Sequence, residues 1–139
     1  MLFGRQLVIT HDCAGCHGGA GPAGEGWLAG GSSDHIGEYT LWRPNLTPDE
    51  ATGLGRFSDR QIFNALRYGL RPSATPDAEI TSATPGAGGH PARPNYLSPG
   101  MPWTSWRHMS DRELWAVIAY LRHGVAPARN AVPPSEMPS

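Results

Sequence analysis

The sequence predicts an all-helical chain, with three helices joined by long loops. Two segments carry complete start and stop signals around an apolar face of helical spacing. No stretch alternates apolar and polar residues convincingly enough to read as a strand. The 18 Gly and 14 Pro among 139 residues leave much of the remainder as loop.

The first helix is expected over Leu2 to Thr10, with Phe3 and Leu7 on one side and Gly4 and Val8 on the other. Residues 18 to 31 are glycine-rich, a surface turn or a segment whose backbone can approach a bound group closely. No phosphate-loop lysine follows it and no strand precedes it, which argues against phosphate binding. Ser58 can cap the second helix, Gln61 closes a capping box, Phe57 and Ile62 occupy staple positions, and Gly69 stops the helix. Arg71 to Pro99 has no usable periodicity and is long for a loop, so it is expected either to wrap one side of a cofactor or to be partly mobile. The last helix is expected over Asp111 to His123. Ser110 and Glu113 form its capping box, and Met109 and Leu114 its staple. Leu114, Val117, Ile118 and Leu121 share one face, and Gly124 is expected to end the helix in the left-handed conformation. Residues 1–125 read as one domain and 126–139, with four prolines, as a Pro-rich tail or linker.

Net charge is −1 with both signs interspersed, so nothing supports nucleic-acid binding, which needs a basic stripe. The longest clean apolar run, Trp115 to Leu121, is far short of a transmembrane segment. Gly4 and Arg5 interrupt the start at once, so no signal peptide with an apolar core is visible.

Chemistry concentrates in Cys13-Ala14-Gly15-Cys16-His17. Cys-x-x-Cys-His is the attachment signature of a c-type haem. Two thiols three positions apart can each form a thioether to one vinyl of the same porphyrin, and the next imidazole can reach the iron. These are the only two cysteines in the chain, which predicts one covalent haem c. A thioredoxin-like reading of the pair expects a βαβ setting and makes no use of His17.

Function then turns on what sits opposite His17: a second protein ligand favours electron transfer, an open position favours small-molecule or oxygen chemistry. Met101 lies in the loop Ser98-Pro99-Gly100-Met101-Pro102-Trp103. Pro102 biases it toward extended backbone and Gly100 permits close approach, so its neutral thioether is the leading candidate; the alternative is a methionine that only fills a gap. Met109 has a staple role available, while Met1 and Met137 lie near the ends. Among the histidines, His11 is too close to His17 to cross the ring, and His123 suits the end of a helix dipole. His35, His90 and His108 read as loop residues, with His90 the substitute ligand to test.

With these residues in place the chain resembles class I c-type cytochromes, and more narrowly the monohaem domains in cytochrome subunits of bacterial dehydrogenases. The resemblance runs through the attachment motif, Pro44-Asn45-Leu46-Thr47-Pro48-Asp49, Thr52 to Asp59, Ala65-Leu66-Arg67-Tyr68-Gly69, Met101-Pro102-Trp103 and Ile118 to Arg122. It implies an all-α cytochrome c fold, with three main helices and long loops wrapped around one covalent haem. The first and last helices would cross near Gly4 and Tyr120, with the middle helix alongside. Met101 falls where the family places its methionine ligand. A backbone carbonyl usually fixes an axial imidazole; Pro44 and Pro22 are both candidates, Pro44 favoured by its surroundings. Arg43, Arg56, Trp103, Trp106 and Arg107 are candidates to lie near the propionates. The long loop over residues 71–99 departs from the family pattern.

The expected function is one-electron transfer by a His17/Met101-ligated haem, by a carrier with no catalytic residue of its own. Its partner would be a dehydrogenase, an oxidase or another cytochrome. The family implies assembly after export, hence a periplasmic or otherwise extracytoplasmic protein. The alternative is a gas-binding or peroxidase-like haem protein with a displaceable methionine.

Overall fold

The computed structural model describes residues 1–135 and gathers them into two compact units, residues 1–56 with 115–135, and residues 57–114. In the first unit, α1 (Leu2–Thr10) runs through His11 and Asp12 into α2 (Cys13–His17). A two-stranded antiparallel sheet follows, β1 (Ser33–Ile36) and β2 (Tyr39–Trp42), with Ser33 opposite Trp42 and Ile36 opposite Tyr39. This hairpin corrects the expectation of helix alone. Gly37, at φ 61, opens its two-residue turn as tight hairpins require. Both strands are short and mostly exposed, so no buried face imposed an alternating apolar pattern that the sequence could display.

Most of α5 (Asp111–His123) also belongs to this unit. It crosses α1 at Gly4, where a Cβ would stand 1.9 Å from the Ala116 carbonyl oxygen and 2.9 Å from Tyr120 Cβ. Only a residue without a side chain admits that approach. Gly4 and Val8 form the buried face of α1, and Leu114, Val117, Ile118 and Leu121 are buried along α5. The Tyr120 hydroxyl accepts a hydrogen bond from Trp27 Nε1 at 3.0 Å, tying α5 to the glycine-rich loop. Gly124 does not adopt the left-handed conformation. Its N–H still donates to the Tyr120 carbonyl, at 2.7 Å, and the missing side chain leaves room for the Tyr120 ring, 2.5 Å from where a Cβ would stand.

Residues 126–135 are held by side chains of the same unit. The Ala128 carbonyl accepts from Asn45 Nδ2 at 2.7 Å and from the Thr47 hydroxyl at 3.1 Å, and Asn130 N–H donates to the Thr52 hydroxyl at 2.9 Å.

In the second unit, α3 (Asp59–Tyr68) carries both halves of its capping box. Gln61 N–H donates to the Ser58 hydroxyl at 3.1 Å, and Ser58 N–H donates to Gln61 Oε1 at 3.0 Å. Gly69, at φ 68, ends it. The long loop folds back on itself, and Leu70 pairs with Tyr96 in an antiparallel bridge. Ile80 and His90 are buried within it. A one-turn helix α4 (Trp103–Trp106) precedes the start of α5, where Ser110 and Glu113 exchange the second capping box at 2.8 and 3.2 Å.

Candidate haem site

Helix α2 carries Cys13, Cys16 and His17 on a single turn and a half. Asp12, ahead of it, takes a left-handed φ of 54, which turns the chain sharply from α1 into the motif. Gly15 is confined by the Asp12 carboxylate, which would lie 2.3 Å from a Cβ at that position. Both cysteines are unpaired thiols, half-buried. Burial, reinforced by the Asp12 and Cys16 charges against a backbone hydrogen bond that opposes them, pushes the Cys13 thiol up to about 11. It is therefore protonated at neutral pH.

His17 is buried, and its Nδ1 lies 2.8 Å from the Pro44 carbonyl oxygen. A carbonyl can only accept, so Nδ1 carries the proton and Nε2 keeps its lone pair. Burial holds the imidazole below its ordinary pKa despite the Pro44 bond, which favours the neutral, ligating form. Pro22, the other carbonyl candidate, lines a cleft with Trp27 and Ala128 instead.

Neighbouring backbone sets this geometry. Gly30 N–H donates to the His17 carbonyl at 2.7 Å, Gly31 N–H to the Arg43 carbonyl at 2.9 Å, and Leu46 N–H to the Leu28 carbonyl at 2.8 Å. Residues 28–31 and 43–46 thus lie side by side. At Gly30 (φ 69) a Cβ would stand 2.4 Å from the Arg43 carbonyl oxygen and 2.5 Å from the Pro44 carbonyl carbon and oxygen. The absent side chain is what lets the Pro44 carbonyl reach the imidazole. Asn45, buried next to Pro44, accepts from Thr47 N–H at 2.9 Å and donates to the Ala128 carbonyl. Gly30 and Asn45 are the positioning residues that sequence reasoning missed. A glycine in a glycine-rich run gives no signal of its own, and Asn45 appeared only as part of a weak motif.

Arg43 pairs with Asp34, and Arg56 Nε donates to the Gly53 carbonyl at 3.0 Å. In the second unit, Met101 sits in a turn: its N–H donates to the Ser98 carbonyl at 2.9 Å, and its carbonyl accepts from Trp103 N–H at 2.8 Å. The Trp103 indole covers Gly69 and stacks on Tyr96 with ring centres 5.6 Å apart and planes 6° from parallel. Trp106 is half-buried, and Arg107 is exposed, its carbonyl accepting from Arg67. His90 is buried, 3.1 Å from the Pro91 carbonyl and edge-on to Tyr68. Met109 is half-buried before α5, Met1 packs near Gly124, and Met137 lies outside the described residues.

Among the described residues no group of three or more His, Cys, Asp or Glu side chains converges to hold a bare metal ion. Two free thiols three positions apart and a neutral imidazole with a free Nε2 instead suit a covalently attached porphyrin, whose vinyls would take the thiols and whose iron would take the nitrogen.

That donor set defines a haem-attachment domain of the c type. The chain belongs to the cytochrome c family, whose model, described as cytochrome c, matches residues 3–124. It is similar to the gluconate 2-dehydrogenase cytochrome c subunit of Pantoea cypripedii, 30% identical over 97% of this chain and 25% of that protein. It also resembles a nicotinate dehydrogenase subunit of Pseudomonas putida, 31% identical over 96% of this chain and 9% of that protein. The fructose dehydrogenase cytochrome subunit of Gluconobacter japonicus is 27% identical over 97% of this chain and 23% of its own length. The chain thus spans a quarter or less of each of these relatives.

Proposed function

We propose that this chain is a one-electron carrier with one covalent haem c, bound through Cys13 and Cys16, with His17 and Met101 as axial ligands. A haem so held supplies reversible exchange between ferrous and ferric iron. The observation that carries the reading is the His17–Pro44 hydrogen bond on the helix that presents both thiols. The carbonyl fixes the ring plane and tautomer and strengthens the imidazole as a donor. The Met101 turn offers a neutral thioether, which favours the ferrous state relative to a second imidazole. Trp103 and Arg56 are assigned to the haem surround.

Residues 1–125 form the carrier domain in this reading and 126–139 a Pro-rich tail or linker. The relatives' names support a redox partner that is the catalytic subunit of a dehydrogenase, with an oxidase or another cytochrome on the other side. Membership of a family whose haem is attached after export supports an extracytoplasmic, periplasmic setting. No helix among the described residues is long and apolar enough to cross a membrane.

Intact mass after acid denaturation tests attachment: one haem retained supports it, and none retained refutes it. Met101→Ala tests the sixth ligand. It is expected to open the iron to carbon monoxide and lower the potential, while Met109→Ala leaves the spectrum unchanged. An unchanged iron spectrum in Met101→Ala overturns the assignment and points to His90 or another histidine.

A further inference from the structure

We propose that Arg71 is a positioning residue that holds the Met101 turn and so sets how readily Met101 leaves the iron. This rests on the reading of Met101 as the sixth ligand. Arg71 opens the long loop, and its backbone N–H donates to the Asn95 carbonyl at 2.9 Å. Leu97 N–H donates to the Gly69 carbonyl at 2.7 Å, so the two bonds flank the Leu70–Tyr96 bridge. The chain therefore leaves α3 and returns beside it before entering the Met101 turn.

The guanidinium then reaches along the returning segment. Nε donates to the Tyr96 carbonyl at 2.8 Å and Nη2 to the Ser98 hydroxyl at 3.2 Å. Ser98 is the residue whose carbonyl accepts the Met101 N–H. On the far side, Trp103 receives support from Tyr96 by stacking and binds the Met101 carbonyl through its N–H. A closed circuit results: Arg71 fixes Tyr96 and Ser98, Ser98 and Trp103 fix Met101, and Tyr96 supports Trp103. Among the described residues Arg71 makes no ion pair, and it is half-buried. Its side-chain donors go to this returning segment rather than to a carboxylate. A planar guanidinium suits two acceptors on alternate residues of one segment, whereas a lysine ammonium is a single point. The loop over residues 71–99 gains a role here, because it returns Tyr96 and Ser98 to the guanidinium.

The test is competition at the iron of the ferric haem-loaded protein, with imidazole as the probe that displaces a methionine. Arg71→Gln is expected to raise imidazole affinity about tenfold, equivalent to ~1.4 kcal/mol. Arg71→Lys, which keeps the charge but not the fork, is expected to behave like Arg71→Gln. Ser98→Ala, which removes one contact, should raise affinity by a smaller factor in the same direction. Tyr120→Phe serves as a control that lowers stability elsewhere, and its imidazole affinity should stay at the wild-type value. Wild-type affinity in Arg71→Gln, or an equal rise in Tyr120→Phe, overturns the proposal. If Met101→Ala leaves the iron spectrum unchanged, the ligand assignment itself has failed. If Met101→Ala opens the iron and Arg71→Gln loosens nothing, only the role of Arg71 has failed.

Discussion

Gly30→Ala probes the grip on His17 through a residue whose own side chain is absent. The new Cβ would stand 2.4 Å from the Arg43 carbonyl oxygen and 2.5 Å from the Pro44 carbonyl, whereas an ordinary contact begins at 3.4 Å. The atoms in the way are backbone, so the segment around Pro44 must retreat by most of that difference. The His17–Pro44 bond starts at 2.8 Å, and a retreat of this size carries it past the limit of a hydrogen bond. Two costs combine. A side chain at φ 69 costs ~1–2 kcal/mol, and a buried N–H without its acceptor ~1–3 kcal/mol, together about 2–5 kcal/mol. Urea unfolding of the haem-loaded protein reads that loss. The potential gives the sharper test. Without the carbonyl the imidazole is a weaker donor, the ferric state loses support, and the potential should rise. The expected rise is some tens of millivolts, on the order of the ~59 mV that a tenfold change gives for one electron. Gly31→Ala is the control, because its φ of 101 carries a backbone penalty at least as large while its Cβ meets only the end of the Asn130 side chain, at 3.0 Å. It should lose stability and keep its potential. An unchanged or lowered potential in Gly30→Ala, or an equal rise in Gly31→Ala, refutes the reasoning.

Gly4→Val forces a branched side chain into the Ala116 carbonyl and should cost at least the ~1–3 kcal/mol of overpacking, read as a lower thermal midpoint; an unchanged midpoint contradicts the α1–α5 crossing. Tyr120→Phe leaves buried Trp27 Nε1 without its acceptor and should cost about 1–3 kcal/mol in urea unfolding. Asp49→Asn should show a pH signature. The Thr52 hydroxyl and N–H, at 2.6 and 2.7 Å, hold the Asp49 carboxyl below its ordinary 3.8, so the ionised form stabilises the fold. That contribution is present above pH 3.8 and lost as pH falls through the lowered pKa, so the wild-type advantage over the variant should shrink in acid. A stability gap that does not change with pH argues against it.

What the sequence determined by itself was local chemistry. Ser58 with Gln61 and Ser110 with Glu113 announce helix starts because a capping box closes within four residues, and Asp59–Tyr68 and Asp111–His123 begin where those boxes stand. Cys13, Cys16 and His17 are legible for the same reason, since the attachment chemistry needs them within one stretch of chain. The hairpin over residues 33–42 was not legible, because exposed strands need no apolar alternation. Gly124 was misread because a glycine after a helix signals a left-handed cap, while the packing of Tyr120 asks only for empty space. Tertiary structure alone decided that Gly30 clears the way for Pro44 and that Arg71 reaches Tyr96 and Ser98. Those contacts join residues far apart in the chain, and their acceptors are mostly backbone carbonyls, which every residue carries alike. A side chain's identity can mark a motif, but which carbonyl stands opposite it is settled only when the chain folds back on itself.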